Sequence, residues 1–178
     1  MKKAHLKYAG ILLLVVTASC IIHEFGHFIT GVVLGNKMTM TLNMASPVNG
    51  YAAEWHAPLV WTGGPLLTLL QSITALILIM IYGQNLILYA FVLEPVTLRI
   101  WPYLVSPLMY QDEAKIGDYL GISPWILPII IWIVLGVIAW LGAKKSGYSL
   151  KFALITILLI LVVFQIVLRT NNLIVSLL

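Results

Sequence analysis

The sequence Ile21-Ile22-His23-Glu24-Phe25-Gly26-His27 is an HExxH motif inside an apolar run that extends from residue 6 to residue 34. In a helix, side chains four residues apart leave the same face one turn apart, so the imidazoles of His23 and His27 can bind one metal ion. Glu24 lies beside that face, where its carboxylate can take a proton from a metal-activated water. The motif therefore predicts a membrane helix that carries part of a metal site.

The polar residues of this run also have interpretations without chemistry. His23, Glu24 and His27 could be buried for packing or pairing, but such groups are costly to bury in hydrocarbon, so they are usually functional there. Cys20 lies three residues before His23, yet a lone cysteine is more often a small buried hydrophobe. A single cysteine excludes an internal disulfide and a thiolate zinc cluster.

The composition is that of an integral membrane protein. Of the 178 residues, 61% are hydrophobic and 9% are charged, and the mean hydropathy is +1.03. Apolar segments of the length needed to cross a bilayer, about 20 residues, occur at 8–34, 58–82, 86–108, 124–142 and 150–170. They predict an all-α, polytopic transmembrane helix bundle of about five spans. Residues 1–178 form a single membrane domain, with a catalytic core at about 8–122 and accessory spans at about 124–170.

The basic residues predict orientation rather than a nucleic-acid partner, because the net charge of +4 is scattered along the chain. An odd number of spans with a cytoplasmic N-terminus puts six lysines inside, at positions 2, 3, 7, 144, 145 and 151. Lys37, Lys115 and Arg169 then fall outside. We expect a cell-membrane protein with its N-terminus in the cytoplasm and its C-terminus outside.

The segment after the first span changes pattern. Apolarity lapses over residues 36–56, and residues 38–44 alternate with a period of two, which is typical of a strand. Pro47 and Asn49-Gly50 supply a turn. The pattern predicts a short β-like hairpin or re-entrant loop near the outer membrane face.

This hairpin has two interpretations. It is either a simple connector or an exposed strand edge along which an extended peptide pairs. In the second case, Met40 and Leu42 are candidate substrate-binding residues with an adaptable apolar lining.

Small residues recur on the second span. Gly64, Thr68 and Ser72 are spaced by four and form one small-residue face. Such a face allows close approach of another helix, and Gly31 and Gly35 offer the matching pair at the end of the first span. We therefore expect these two patches to pack together.

Two ionisable residues, Glu94 and Arg99, fall within the third span. An acid in hydrocarbon is a functional candidate. The favoured interpretation is a structural pair between Glu94 and Arg99 across a helix disturbed by Pro95; approach of Glu94 to the metal is the other.

The most acidic patch of the chain is residues 111–121. Asp112 and Glu113 fit the first turn of a short helix that ends at Gly121 and Pro124. Either carboxylate can reach the level of the HExxH motif from there. A solvated loop is the alternative interpretation.

In chain order, His23-Glu24-Phe25-Gly26-His27, Gly64-Pro65-Leu66 and Gln111-Asp112-Glu113 resemble the site-2 protease family of intramembrane zinc metalloproteases, over roughly residues 15 to 122. The resemblance implies Zn²⁺ as cofactor, His23, His27 and Asp112 as ligands, and Glu24 as catalytic acid and base. It also points to substrate contact at Gly64, Pro65 and Thr68. The family often has Asn where this chain has Thr68, and an Asp-Gly pair where this chain has Asp112-Glu113.

The expected function is cleavage of peptide bonds in transmembrane or signal-peptide-derived substrates within the lipid bilayer. A membrane partner protein or a homo-oligomer is compatible with this expectation. Glu54, His56 and Glu113 are alternative metal ligands. Other function classes stay open: a non-proteolytic metal-binding membrane component, such as a metal carrier or an accessory to a peptide exporter, and a structural or immunity-type membrane protein.

Overall fold

The computed structural model describes residues 2–105 and 110–176, which form six helices and one two-stranded sheet. In chain order, the elements are α1 (Lys2–Val33), β1 (Met38–Thr41), β2 (Met44–Pro47), α2 (His56–Tyr82), α3 (Leu86–Val105), α4 (Asp112–Tyr119), α5 (Ile126–Ser146) and α6 (Leu150–Ser176).

The prediction of an all-α membrane bundle with a hairpin after the first span is confirmed. Within the described residues, five helices are long and apolar enough to cross a membrane, and only α4, with 8 residues, is too short. The predicted spans and the helices agree to within a few residues at most ends. Residues 106–108 of the predicted third span, which include Pro107, lie outside the described residues.

The ends of the bundle are set by short turns and by the hairpin. Residues 83–85 join α2 to α3, where the side chain of Asn85 accepts hydrogen bonds from the first backbone N–H groups of α3. Residues 147–149 join α5 to α6, and Gly147 takes the left-handed conformation that ends α5. We call this the turn end of the bundle, and the opposite end, with β1, β2 and α4, the hairpin end.

Buried faces hold the long helices together. On α1, Leu12, Val15, Val16 and Cys20 are buried at helical spacing and pack into the main core, while Leu14 is 73% exposed. A helix that is apolar on both faces suits a bundle surrounded by lipid. The buried state of Cys20 matches the expectation of a small hydrophobe.

The closest approach between α1 and α2 involves glycines. A Cβ atom at Gly26 would overlap the backbone of Gly63, and a Cβ at Gly63 would overlap the backbone of Gly26. The prediction that Gly31 and Gly35 meet α2 is wrong: Gly31 contacts the Met38 side chain, and Gly35 lies beyond the end of α1. The helices cross within the HExxH motif, at Gly26, because glycine occurs on both helices there.

The hairpin turns earlier than the sequence predicts. β1 and β2 pair antiparallel, with Met38 opposite Pro47 and Thr41 opposite Met44, so Leu42 and Asn43 form the turn. The alternating stretch is therefore two strands rather than one.

The register determines which backbone groups face the free edge of β2. The Val48 N–H donates to the Lys37 carbonyl at 2.8 Å, and hydrogen-bonded pairs alternate along an antiparallel ladder. Ser46 and Met44 therefore point their backbone groups at β1. The N–H and C=O of Ala45 point away from β1, toward the free edge.

Candidate metal centre

Two histidines and one carboxylate converge at the hairpin end. His23 Nε2 lies 3.1 Å from His27 Nε2. Asp112 Oδ2 lies 3.3 Å from the first of these nitrogens and 3.2 Å from the second. A tetrahedral zinc site with bonds of about 2.0–2.1 Å has ligand atoms about 3.3 Å apart. The triangle thus has the dimensions of three zinc ligands with a fourth position open.

The tautomer of His27 is set by the backbone of α2. Its Nδ1–H donates to the Val60 carbonyl at 2.7 Å, which leaves the Nε2 lone pair directed at the triangle. His23 differs, because its Nδ1 is buried without a hydrogen-bond partner among the described residues. Convergence of imidazole lone pairs and a carboxylate oxygen is repulsive unless a cation or a proton lies between them.

Gly64 makes room for the two rings. A Cβ atom there would overlap His27 Nε2 and come within 2.8 Å of the His23 ring. Gly64, Pro65 and Thr68 are buried within α2, and the clefts beside the triangle are lined by other residues. Substrate contact by these three residues stays a prediction. Gly64 packs against the two histidine rings.

Asp112 is the first residue of α4, a position that suits a carboxylate. Its Oδ1 lies 3.4 Å from Lys115 Nζ, while Oδ2 faces the histidines. Burial raises the pKa of Asp112, but the His23 and His27 rings, which donate hydrogen bonds to the carboxylate when their Nε2 atoms carry protons, outweigh that effect and hold the pKa well below its usual range. The carboxylate is therefore in the ionised form that a metal ligand requires.

A buried ion pair holds α4 in place. Arg99 on α3 donates through Nε to Glu113 Oε1 at 2.7 Å, through Nη2 to the Thr68 hydroxyl at 2.9 Å and through Nη1 to the Pro95 carbonyl at 3.1 Å. Arg99 and Glu113 are both buried. The residue next to Asp112 is thus tied to α3 and, through Arg99, to α2.

The predicted pair between Glu94 and Arg99 is wrong, because the guanidinium turns to Glu113 instead. Glu94 is fully buried in α3, forms no ion pair among the described residues, and has the Ser19 side chain of α1 beside its carboxylate. It belongs neither to the triangle nor to the residues that line its clefts. The sequence alone does not show whether Arg99 pairs with Glu94 or with Glu113. Glu113 comes close to Arg99 only because α4 folds back onto the long helices.

A polar cleft opens on one side of the triangle. The Glu24 carboxylate lies in it and faces the backbone N–H of Ala45 on β2. Tyr51 also lines this cleft; burial raises the pKa of its phenol and the charge of Asp112 raises it further, so the hydroxyl stays protonated at neutral pH. The cleft therefore combines an acid–base group, a hydrogen-bond donor and a strand edge.

An apolar cavity of about 390 Å³ adjoins the other side of the triangle. His23, Glu24, Asn43, Gln111 and Asp112 line both this cavity and the polar cleft. The remaining wall comes from the hairpin turn and from α1, α3, α4 and α6, and includes Cys20, Leu42, Leu98, Trp101, Phe164 and Leu168.

The alternative ligands lie elsewhere. His56 is buried at the start of α2, where its Nδ1 is 3.1 Å from Asn36 Oδ1, and Glu54 is exposed in the preceding loop. Glu113 pairs with Arg99. Of the predicted substrate residues on the hairpin, Leu42 lines the apolar cavity, whereas Met40 is exposed and lines neither cleft.

The sequence patterns did not identify several residues that line the two clefts. Tyr51, Asn43, Phe164 and Leu168 line the two clefts without having been singled out. Asn43 had a signal, because a polar residue in an alternating run marks a turn. Phe164 and Leu168 had none, since both are ordinary on a lipid-facing helix.

The Asn43 side chain also connects the hairpin to α6. It lies 2.6 Å from the Asn171 side chain and 3.1 Å from the Asn172 side chain, both near the end of α6. The hairpin turn and α6 thus meet beside the apolar cavity.

Comparison with known proteins gave no match: no protein-family model, curated protein or solved structure matched this chain.

Proposed function

We propose that the protein is an intramembrane zinc endopeptidase, similar to the site-2 proteases, that cleaves transmembrane or signal-peptide-derived peptides. The observation that carries the proposal is the triangle of His23 Nε2, His27 Nε2 and Asp112 Oδ2, with sides of 3.1 to 3.3 Å. Its donor set is the two-histidine, one-carboxylate set typical of catalytic zinc. Five helices long and apolar enough to cross a membrane support a substrate that is also in the lipid bilayer.

Zinc in such a site supplies Lewis-acid polarisation of a water molecule and of a peptide carbonyl. Glu24, beside the triangle in the polar cleft, accepts the proton of the water and passes it to the leaving amine nitrogen. Tyr51, as a protonated phenol in the same cleft, is available to donate a hydrogen bond to the oxyanion that develops.

The free edge of β2 suggests how a substrate is held. A peptide in a helix has its carbonyls in hydrogen bonds, so it has to be extended before its backbone can be attacked. The carbonyl of Ala45 on this edge can accept a hydrogen bond from such an extended segment, while the N–H of Ala45 faces Glu24. This arrangement favours a substrate that enters as a locally unwound helix end.

Lysine positions support a cytoplasmic N-terminus in the cell membrane. Lys144 and Lys145 lie in the last turn of α5, at the turn end, and Lys7 lies at the start of the first span. An excess of lysine at one end favours the cytoplasm. The hairpin end, with the metal centre, is then on the outer side, and so is the C-terminus.

The direct test is Glu24→Gln in the full chain, reconstituted in lipid vesicles with zinc and a panel of quenched fluorescent peptides that contain signal-peptide hydrophobic segments. We expect kcat to fall by about 10³-fold, because general acid–base catalysis is lost, while zinc content stays equal to wild type. Glu54→Gln is the matched control, since Glu54 is an exposed acid outside the clefts. Unchanged cleavage by Glu24→Gln would remove the acid–base assignment. Zinc binding by wild type with no cleavage of any peptide would favour a non-proteolytic metal-binding component.

A further inference from the structure

The apolar cavity next to the triangle is not used by the chemistry of Glu24 and the two histidines. It continues from the metal centre past Cys20, which lies one helical turn deeper along α1 than Glu24. Its volume of about 390 Å³ is more than twice the roughly 150 Å³ of an apolar cavity that binds benzene. The cavity can therefore hold a whole aromatic or long aliphatic side chain.

The chemistry of the wall selects an uncharged occupant. Leu98, Trp101, Phe164 and Leu168 supply hydrocarbon surface. Three ionisable groups, His23, Glu24 and Asp112, lie at the end of the cavity that adjoins the polar cleft, and the other two, Arg99 and Glu113, are buried and bonded to each other at 2.7 Å. Away from the metal centre, a charged side chain in this cavity would lose its hydration without gaining a free partner. An apolar side chain would instead be stabilised by the removal of its surface from water.

The cavity and the strand edge share one boundary. Asn43 forms part of the hairpin turn and lines both the polar cleft and the apolar cavity, as do His23 and Glu24. Side chains of an extended peptide alternate between its two faces. A peptide that lies along β2 with one carbonyl at the metal centre therefore has a neighbouring side chain at the cavity mouth.

We infer that this cavity is a specificity pocket that accepts one large apolar side chain of the substrate, next to the bond that is cleaved, and that α6 determines its depth. The inference rests on the proposed function, because the metal centre fixes the position of the bond. Phe164 and Leu168 are the α6 residues that close the pocket. α6 is thus part of substrate recognition rather than only a structural span.

The test uses two series of short peptide hydroxamates, which bind zinc directly. One series varies the side chain on the acyl side of the zinc-binding group, and the other varies it on the amine side, with Ala, Leu, Phe or Lys in each. We expect the full-length zinc-loaded protein in detergent to bind the Phe compound about tenfold or more tightly than the Ala compound in one series. The Lys compound should bind no better than Ala.

Two variants at one position separate pocket filling from general damage. Leu168→Trp fills the pocket and should bring the Phe-to-Ala affinity ratio near one, whereas Leu168→Ala enlarges it and should raise the affinity for a naphthylalanine compound relative to Phe. Leu158→Trp is the control, since Leu158 is 62% exposed on the same helix and does not line the cavity. It should keep the wild-type ratio.

The outcomes are distinct. Zinc-dependent binding with equal affinity for Ala, Leu and Phe in both series overturns the pocket and leaves the proposed function standing. A wild-type ratio in both Leu168 variants also overturns the pocket. No zinc-dependent binding of any hydroxamate overturns the proposed function, and the pocket inference with it.

Discussion

The two sides of the bundle use glycine in opposite ways. Where α1 meets α2, added Cβ atoms at Gly26, Gly63 or Gly64 would overlap backbone or the histidine rings. On α5, a Cβ at Gly136 would meet none of the described atoms within 4 Å, and one at Gly142 would make ordinary contacts at 3.6 Å. Tight backbone packing is thus concentrated beside the candidate metal ligands. Around α5, ordinary side-chain packing suffices.

The largest effect should come from Gly64→Ala. Its methyl group has to displace the His23 and His27 rings, so we expect zinc affinity to fall by about 100-fold or more, the upper range for disturbed ligand orientation. Gly136→Ala is the matched control and should bind zinc like wild type. Zinc titration of both variants, with gel filtration to check folding, measures this. Equal zinc affinity for the two alanine variants would remove the proposed role of Gly64.

A smaller effect is expected for Arg99→Gln. It leaves Glu113 buried without its charge partner, which costs about 3–5 kcal/mol of stability for a broken buried pair, and it loosens α4 beside Asp112. Zinc affinity should fall by about 10-fold to 100-fold, which is the usual loss when a residue that orients a metal ligand without binding the metal is removed.

The control and the rescue for Arg99 use residues of the same type. Arg169→Gln, on the exposed surface of α6, should keep wild-type zinc affinity. The double variant Arg99→Gln with Glu113→Gln removes both charges and should regain part of the lost affinity. If the double variant bound zinc as weakly as Arg99→Gln does, the ion pair between Arg99 and Glu113 would not be what positions α4.

The smallest effect should come from Thr68→Val, which removes the hydroxyl that accepts a hydrogen bond from Arg99. We expect a loss of about 1 kcal/mol in the free energy of unfolding and only a few-fold loss of zinc affinity. Thr156→Val removes a buried hydroxyl on the other side of the bundle, where it contacts Tyr8 at 2.5 Å. It should lower stability without changing zinc affinity. A zinc effect equal in both variants would argue against a link from Thr68 to the metal centre.

Local patterns in the sequence predicted the features that depend on neighbouring residues. The spacing of His23 and His27 required only helix geometry, and the spans required only runs of apolar residues. Asp112 came from the resemblance to the site-2 proteases, since no local rule links residue 112 to residue 23. The structure brings these three residues together.

Features that depend on distant packing could not be predicted in the same way. Arg99 has two acids as candidate partners, and the fold of α4 decides between them. The sequence predicts that α1 meets α2 at Gly31, but the structure has the contact at Gly26. The position of the contact depends on which glycines of α2 face α1. Phe164 lines the apolar cavity because α6 packs beside it. The sequence of α6 is uniformly apolar, so it does not show which face of the helix packs against the bundle.

The central claim is that His23, His27 and Asp112 bind one zinc ion together. The most direct measurement is zinc per protein molecule, by elemental analysis, in purified wild type, Asp112→Asn and Glu54→Gln after equilibration with excess zinc and removal of the unbound metal. We expect about one zinc in wild type and Glu54→Gln, from a single three-ligand site, and a clear loss in Asp112→Asn. Wild type without zinc, or Asp112→Asn with as much zinc as wild type, would contradict it.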